Sequence, residues 1–130
     1  AKKVIGIENN SDAVYDANVT ASINKVANCR FVIGDAAAQL TQITSNEKVN
    51  VLVLNPPRSG LSDAMLNSII EAKIKKIVYV SCNPSTLAKN LDVLLKYYTI
   101  DDITPFDMFS YTPLVEAVVG LSLKGGNSRG

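Results

Sequence analysis

The chain has 130 residues, 47% hydrophobic and 19% charged, a globular composition of one domain's length that excludes disorder. Thirteen Lys/Arg against twelve Asp/Glu leave a formal charge of +1, too balanced to announce a nucleic-acid or membrane partner by charge alone. Histidine is absent, which excludes Ser-His-Asp and Cys-His catalysis and any His-ligated metal within the chain, and no apolar run nears the roughly 18 residues of a membrane span.

Val4-Ile5-Gly6-Ile7 is a short apolar run bounded by polar residues and predicts a buried strand. Ser11 is placed to cap a following helix, whose Val14, Ala17 and Ala21 share one face. Phe31-Val32-Ile33 predicts the second strand, ended by Gly34-Asp35; Ala36, Leu40 and Ile43 then give a short helical face before a polar loop at 45–48. Val51-Leu52-Val53-Leu54 is wholly apolar and stops at Asn55-Pro56-Pro57, the pattern of a buried strand. Leu66, Ile69 and Ile70 mark a helix with Ser62 or Asp63 near its start. Ile77-Val78-Tyr79-Val80 predicts a further buried strand, after which Pro84 suits a first helical turn with Leu87, Leu91, Leu94 and Leu95 as its inner stripe. Beyond Tyr98 the pattern becomes β without an intervening helix, at about 99–106 and 115–123. Residues 1–124 thus read as one α/β domain and 125–130 as a flexible tail.

Strands alternating with helices, the strands wholly apolar, predict an α/β, doubly wound, mostly parallel sheet covered on both faces. The two last strands add an antiparallel terminal hairpin. Cys29 and Cys82 are far apart with no CxxC, the usage of reduced thiols in a cytoplasmic protein.

In open α/β sheets ligands lie at the carboxyl ends of the strands, and polar or reactive groups follow each apolar run here. Glu8 can accept from a ribose diol or simply begin a solvated loop. Asp35 can accept from an adenine amino group or cap the helix that starts at Ala36. No GxGxxG loop occurs. In Asn55-Pro56-Pro57-Arg58 the two prolines stiffen the backbone, so Asn55 is held at the sheet edge either to read a planar base or as part of a rigid turn. Cys82 lies between a strand and a helix start, where amides favour negative charge; that suits a nucleophile, though an inert thiol is the common role of a lone cysteine. Glu116 by itself is a carboxylate early in the last strand.

Taken together these residues resemble the S-adenosylmethionine-dependent RNA uracil-carbon-5 methyltransferases, which make 5-methyluridine in tRNA and rRNA. The stretch Tyr79-Val80-Ser81-Cys82-Asn83-Pro84-Ser85-Thr86-Leu87-Ala88 is similar to the family's nucleophile motif. Val4-Ile5-Gly6-Ile7-Glu8, Gly34-Asp35-Ala36, Pro56-Pro57-Arg58-Ser59-Gly60-Leu61 and Phe106-Asp107-Met108-Phe109 match in the family's order. The resemblance implies a Rossmann-like class I methyltransferase fold and the cofactor S-adenosyl-L-methionine. It implies that Cys82 adds to uracil carbon 6 and that Glu116 removes the carbon-5 proton. Glu8 and Asp35 would hold the cofactor, Asn55 would lie between cofactor and base, and Pro56 and Arg58 would border the substrate. RNA is the implied partner, without membrane or metal.

The chain departs from the family's pattern in four ways. Asn55 stands where the family usually has Asp, Leu114 precedes Val115-Glu116 where it often has His, and Lys89-Asn90 replaces a common Arg-Asp pair. The family's first strand and glycine-rich loop, its RNA-binding amino-terminal domain and the iron–sulfur cysteines of some members lie outside these 130 residues. The expectation is a carboxy-terminal part of a catalytic domain, poorly active alone, whose sheet can close its gap against a second copy as a homodimer. Two rival readings remain: an amino-group methyltransferase acting on adenine or glutamine through Asn-Pro-Pro, in which Arg58 takes the usual aromatic position and Cys82 has no task, and a non-catalytic RNA-binding relative. The cluster Lys73, Lys75 and Lys76 could touch phosphate but reads first as a solvated face.

Overall fold

The structure, a computed structural model, describes residues 3–8, 15, 19, 23, 28–105 and 116–125. The expected helix after Ser11, the block Phe106-Asp107-Met108-Phe109, Leu114, Val115 and the tail beyond Gly125 lie outside the described residues. Two compact units divide the chain, residues 1–46 and 47–130.

In the first unit β1 (Val4–Glu8) pairs in parallel with β2 (Cys29–Ile33), in a register that sets Val4 opposite Cys29 and Glu8 opposite Ile33. Helix α1 (Ala36–Asn46) follows and buries Ala37 and Leu40. It runs two residues into the loop expected at 45–48, because polar side chains close on its own carbonyls. The Thr44 hydroxyl donates to Leu40 O at 2.8 Å, and Ser45 and Asn46 both donate to Gln42 O, at 2.8 and 3.0 Å. The polar composition that looked like a loop therefore forms a helix end.

The second unit contains β3 (Val51–Leu54), α2 (Asp63–Ala72), β4 (Lys76–Ser81), α3 (Pro84–Leu94), β5 (Tyr98–Pro105) and β6 (Ala117–Leu123). The sheet order is β3-β4-β6-β5, with β3 parallel to β4 and both pairings of β6 antiparallel. The last strand thus slots between β4 and β5 and leaves β5 at the edge. Helix α2 begins where Ser62 accepts from Met65 N at 3.1 Å, and ends at Lys73, whose φ of 52° is the left-handed turn that stops a helix. Helix α3 has Pro84 in its first turn and Asn83 as its cap.

Alternation divides the faces of this sheet. Leu54 stands opposite Tyr79, and the Tyr79 hydroxyl donates to Asn90 of α3 at 2.7 Å, so this face packs under the helix. Ile69, Ile77, Tyr79, Leu94, Val119 and Leu121 are buried to 1% exposure or less and form the centre of the core. On the opposite face Val51 and Val53 are 53% and 65% exposed, so β3 is not the strand buried on both sides that its composition suggested. An apolar run reports strand formation; it does not report how many faces are covered. That same face carries a polar cluster joining three strands: Lys76 Nζ donates to Ser122 Oγ at 2.7 Å, and Ser122 Oγ donates to Asp101 at 2.5 Å. The Lys76–Asp101 ion pair is 3.5 Å long and well exposed, and contributes little by itself. The Ser122 hydrogen bond, aided by Lys76, holds the Asp101 carboxyl below its ordinary range.

The two faces should respond differently to truncation. Leu94→Ala is expected to destabilise the second unit by about 2–5 kcal/mol, through lost burial plus a cavity, and Val53→Ala by about 0.5 kcal/mol or less. Urea unfolding of both variants measures the contrast.

Candidate active site

In the first unit, the parallel register places two acidic residues at one sheet end. Glu8 closes β1 opposite Ile33, and Asp35 stands two residues beyond Ile33. Asp35 is exposed, and its Oδ2 accepts from Ala38 N at 3.0 Å, so it does cap α1. A carboxylate has about four lone-pair sites, so capping leaves acceptor capacity for a second donor.

In the second unit, the carboxyl ends of β3 and β4 carry the other residues singled out in the sequence. Asn55 follows β3 and is exposed, with Pro56 half-buried behind it. The loop then folds back on itself, Gly60 N donating to Pro57 O at 2.8 Å. Arg58 does not simply project into solvent: its Nη1 donates to the Cys82 carbonyl at 3.4 Å, and its own carbonyl accepts from Asn83 Nδ2 at 3.0 Å. The loop and the Cys82 segment are therefore stitched together in both directions.

Cys82 is a half-buried free thiol immediately after β4. The chain around it is tightly held. Asn83 N donates to Ser81 Oγ and the same hydroxyl donates to Asn83 O, both at 3.1 Å. The Asn83 side chain accepts from Ser85 N at 3.0 Å, while Asn83 O receives Thr86 Oγ1 and Leu87 N. Cys82 thus lies one residue before the cap of an eleven-residue helix, a place where unpaired amides favour negative charge.

Glu116 reaches the same place from a distance of 34 positions in the sequence (116 against 82). The antiparallel ladder between β4 and β6 ends with Ser81 opposite Ala117, and Glu116 N donates to Ser81 O at 2.7 Å. Glu116 and its neighbour Ala117 therefore both meet Ser81, the residue that precedes Cys82. Glu116 is half-buried, so its carboxylate is neither in the core nor fully in water.

Two residues beneath the site were not singled out as site residues by sequence reasoning. Asn90, read only as part of a charge change, is 4% exposed, and its Oδ1 accepts from both Tyr79 OH at 2.7 Å and Leu61 N at 2.9 Å. A signal was present: Asn90 falls between Leu87 and Leu94 at helical spacing, on the inner stripe itself. Of that stripe, Leu94 is buried, whereas Leu87, Leu91 and Leu95 are only half-covered. Tyr79 is the second. Burial first, and then the charge Cys82 can carry, push its phenol up to about 12 from 10.0, so it remains a hydrogen-bond donor throughout the neutral range.

A raised phenol makes a signed prediction. The unfolded tyrosine loses its proton near pH 10 while the folded one keeps it, so stability is full below pH 10 and falls as pH rises towards 12. Tyr98, raised by burial, acts in the same direction. Tyr79→Phe should weaken the alkaline loss measured by denaturation at successive pH values. Asn83→Ala, which removes the helix cap and the tie to Arg58, is expected to destabilise by about 0.5–2 kcal/mol.

Comparison with known proteins gives this arrangement a context. The family model of tRNA (uracil-5-)-methyltransferases matches residues 2–124. An uncharacterized RNA methyltransferase of Clostridium tetani is 44% identical over 125 residues, covering 95% of this chain and 27% of the relative. A counterpart in Bacteroides thetaiotaomicron is 42% identical over 126 residues, covering 95% of this chain and 28% of its own length. Among solved structures, the Pyrococcus abyssi tRNA (uracil-54, C5)-methyltransferase in complex with S-adenosyl-L-homocysteine superposes with a TM-score of 0.73 at 32% identity. That match covers 92% of this chain and 28% of the other. An rRNA methylase from Streptococcus thermophilus, at 11% identity and a TM-score of 0.66, shares the fold alone over 94% of this chain and 74% of its own. The chain therefore spans a little over a quarter of the two relatives' length, 27% and 28%. Its strands and helices are those of a Rossmann-like class I methyltransferase, and the chain belongs to the tRNA (uracil-5-)-methyltransferase family.

Proposed function

We propose that this chain carries the reacting residues of an RNA methyltransferase that moves a methyl group from S-adenosyl-L-methionine to carbon 5 of uridine in tRNA or rRNA. One observation supports this reading above the others: the backbone of Glu116 is tied to the residue just before Cys82, Glu116 N donating to Ser81 O at 2.7 Å where the β4–β6 ladder ends. A thiol with a neighbouring base is the minimum equipment for addition to, and elimination from, an electron-poor ring.

The steps balance as follows. The Cys82 sulfur adds to carbon 6 of uracil, and the electron pair of the 5,6 double bond moves toward carbon 5 and the carbon-4 oxygen. Carbon 5 then takes the methyl group. Glu116 removes the remaining carbon-5 proton, the double bond re-forms, and the Cys82 thiolate leaves. The chain has no histidine, so a carboxylate is the natural proton acceptor within it.

The family depends on S-adenosyl-L-methionine, which when bound supplies an electrophilic methyl group. The donor set suits it. Its ribose hydroxyls and adenine amine are donors, and Glu8 and Asp35 offer carboxylate acceptors at one end of the β1–β2 pair. Asn55 with Pro56 and Arg58 would border the base, the amide serving as a neutral hydrogen-bonding group where a carboxylate is usual. The target RNA, a cytoplasmic location and the need for further parts of the protein belong to the same proposal. As the chain is only 27% of the Clostridium tetani relative's length, it is expected to turn over poorly by itself.

The test uses the longest available form of the protein with 5-fluorouracil-substituted RNA and S-adenosyl-L-methionine. Fluorine at carbon 5 cannot leave as a proton does, so a denaturation-resistant protein–RNA band is expected, and Cys82→Ala should abolish it. A protein that methylates RNA normally after Cys82→Ala would instead be an amino-group methyltransferase. A protein that binds the cofactor and RNA but yields neither band nor methylated product would be a non-catalytic relative.

A further inference from the structure

Asn90 is one of two buried polar side chains among the described residues of the second unit, with Ser81, and nothing in the proposed chemistry uses it. It is eight positions beyond Cys82 on α3 and 4% exposed, and its single carbonyl oxygen takes two donors from two other elements. Tyr79 OH comes from β4 at 2.7 Å, and Leu61 N comes from the end of the loop that begins at Asn55, at 2.9 Å. The same oxygen limits how far that loop can sink. A Cβ built on Gly60 would lie 2.7 Å from Asn90 Oδ1 and 3.0 Å from Thr86 Cβ, and Gly60 has a φ of +82°, which side chains rarely adopt. The loop is thus both pulled in by the Leu61 amide and stopped by the bare Gly60.

We propose that Asn90 is a positioning residue for the methyl-transfer site: through Leu61 and Gly60 it sets the height of the 55–61 loop over the Cys82 segment. The inference rests on the reading of Cys82 as nucleophile, and it adds a residue that touches neither base nor cofactor. The path is short and continuous. Asn90 holds Leu61, the loop carries Arg58, and Arg58 bonds the Cys82 carbonyl and receives Asn83. Tyr79 keeps the oxygen oriented, since its phenol stays protonated well beyond neutral pH. The bonds of Arg58 and Asn83 are exposed at the rim, whereas the Asn90–Tyr79 bond is buried and the Asn90–Leu61 bond partly so; the better-sheltered anchor is the one that resists displacement.

Three variants in the longest available form of the protein test this. Asn90→Ala removes the acceptor, Asn90→Asp keeps an acceptor oxygen in either protonation state, and Gly60→Ala disturbs the contact from the loop side without entering the core. Two readouts are taken well below the unfolding midpoint: kcat and KM for RNA methylation, and the rate at which iodoacetamide alkylates Cys82, followed by mass spectrometry of its peptide. Misplacement of reacting groups by about 1 Å costs on the order of 100-fold. Asn90→Ala and Gly60→Ala should therefore lower kcat by about 10- to 100-fold with KM little changed, and Asn90→Asp should largely restore it. Both damaging variants should also raise Cys82 alkylation several-fold, because the loop no longer rests on that segment. Alkylation does not depend on methylation, so a changed rate in a protein that methylates nothing sustains the positioning role while the proposed function fails. If Asn90→Ala does not fold, Gly60→Ala carries the test alone. Folded Gly60→Ala with unaltered kcat and unaltered alkylation overturns the inference, as does folded Asn90→Ala that loses only thermal stability.

Discussion

The ladder that holds β6 antiparallel against β4 fixes where Glu116 and the Cys82 segment stand. Its rungs run from Lys76 opposite Ser122 to Ser81 opposite Ala117. The side-chain period of a strand is two, so a slip of one residue would turn Val119 and Leu121 out of the core and move Glu116 off its step. Val119 and Leu121 are fully buried, so hydrophobic burial enforces the register and the position of Glu116 follows. The carboxylate is placed by apolar residues several positions away. At the other end of the ladder the Lys76–Ser122–Asp101 cluster adds a polar tie to β5, with the exposed ion pair its weaker member.

The segment around Cys82 has the opposite character, because hydrogen bonds shape it more than burial does. Ser81 and Asn83 close a tight turn around Cys82, and Pro84 enters the helix with no amide to satisfy. The thiol is therefore carried on backbone with few alternatives. Arg58 supplies a charge at the rim, but the side chains beneath the segment carry none. Tyr79 and Asn90 below it are neutral at neutral pH, so an ionised thiol or carboxylate above meets dipoles rather than a buried charge of the same sign. An aspartate at position 90 would have to remain ionised at 4% exposure or take up a proton, and Asn avoids the choice.

Much of this was legible from residue types. Apolar runs that stop at Asn55-Pro56 and at Cys82-Asn83-Pro84 mark strand ends, and Ser62, Asn83 and Pro84 mark helix starts, because caps and prolines act locally. What could not be read is what depends on distant partners. Periodicity says that residues near 117–123 form a strand, but it does not say that the strand inserts between β4 and β5. That insertion is what ties the Glu116 backbone to Ser81, the residue before Cys82. Likewise Val51 and Val53 look like their buried neighbours, since side-chain type carries no record of which face a helix covers. Asn90 was overlooked for a different reason: a polar residue on an apolar stripe reads as a solvent position until its partners, Tyr79 and Leu61, are known. Asp35 showed the reverse, a residue with two plausible tasks of which capping is directly visible.

The central claim is that Cys82 and Glu116 act in sequence on one base. Glu116→Gln separates the two steps, since it leaves addition and methyl transfer intact while removing the base for elimination. The decisive measurement is the mass of the protein–RNA adduct formed by that variant with ordinary uridine-containing RNA and S-adenosyl-L-methionine. The account predicts a stable adduct at Cys82 whose uracil carries one additional methyl group. A Glu116→Gln protein that accumulates no adduct and releases methylated RNA at the unaltered rate would contradict it.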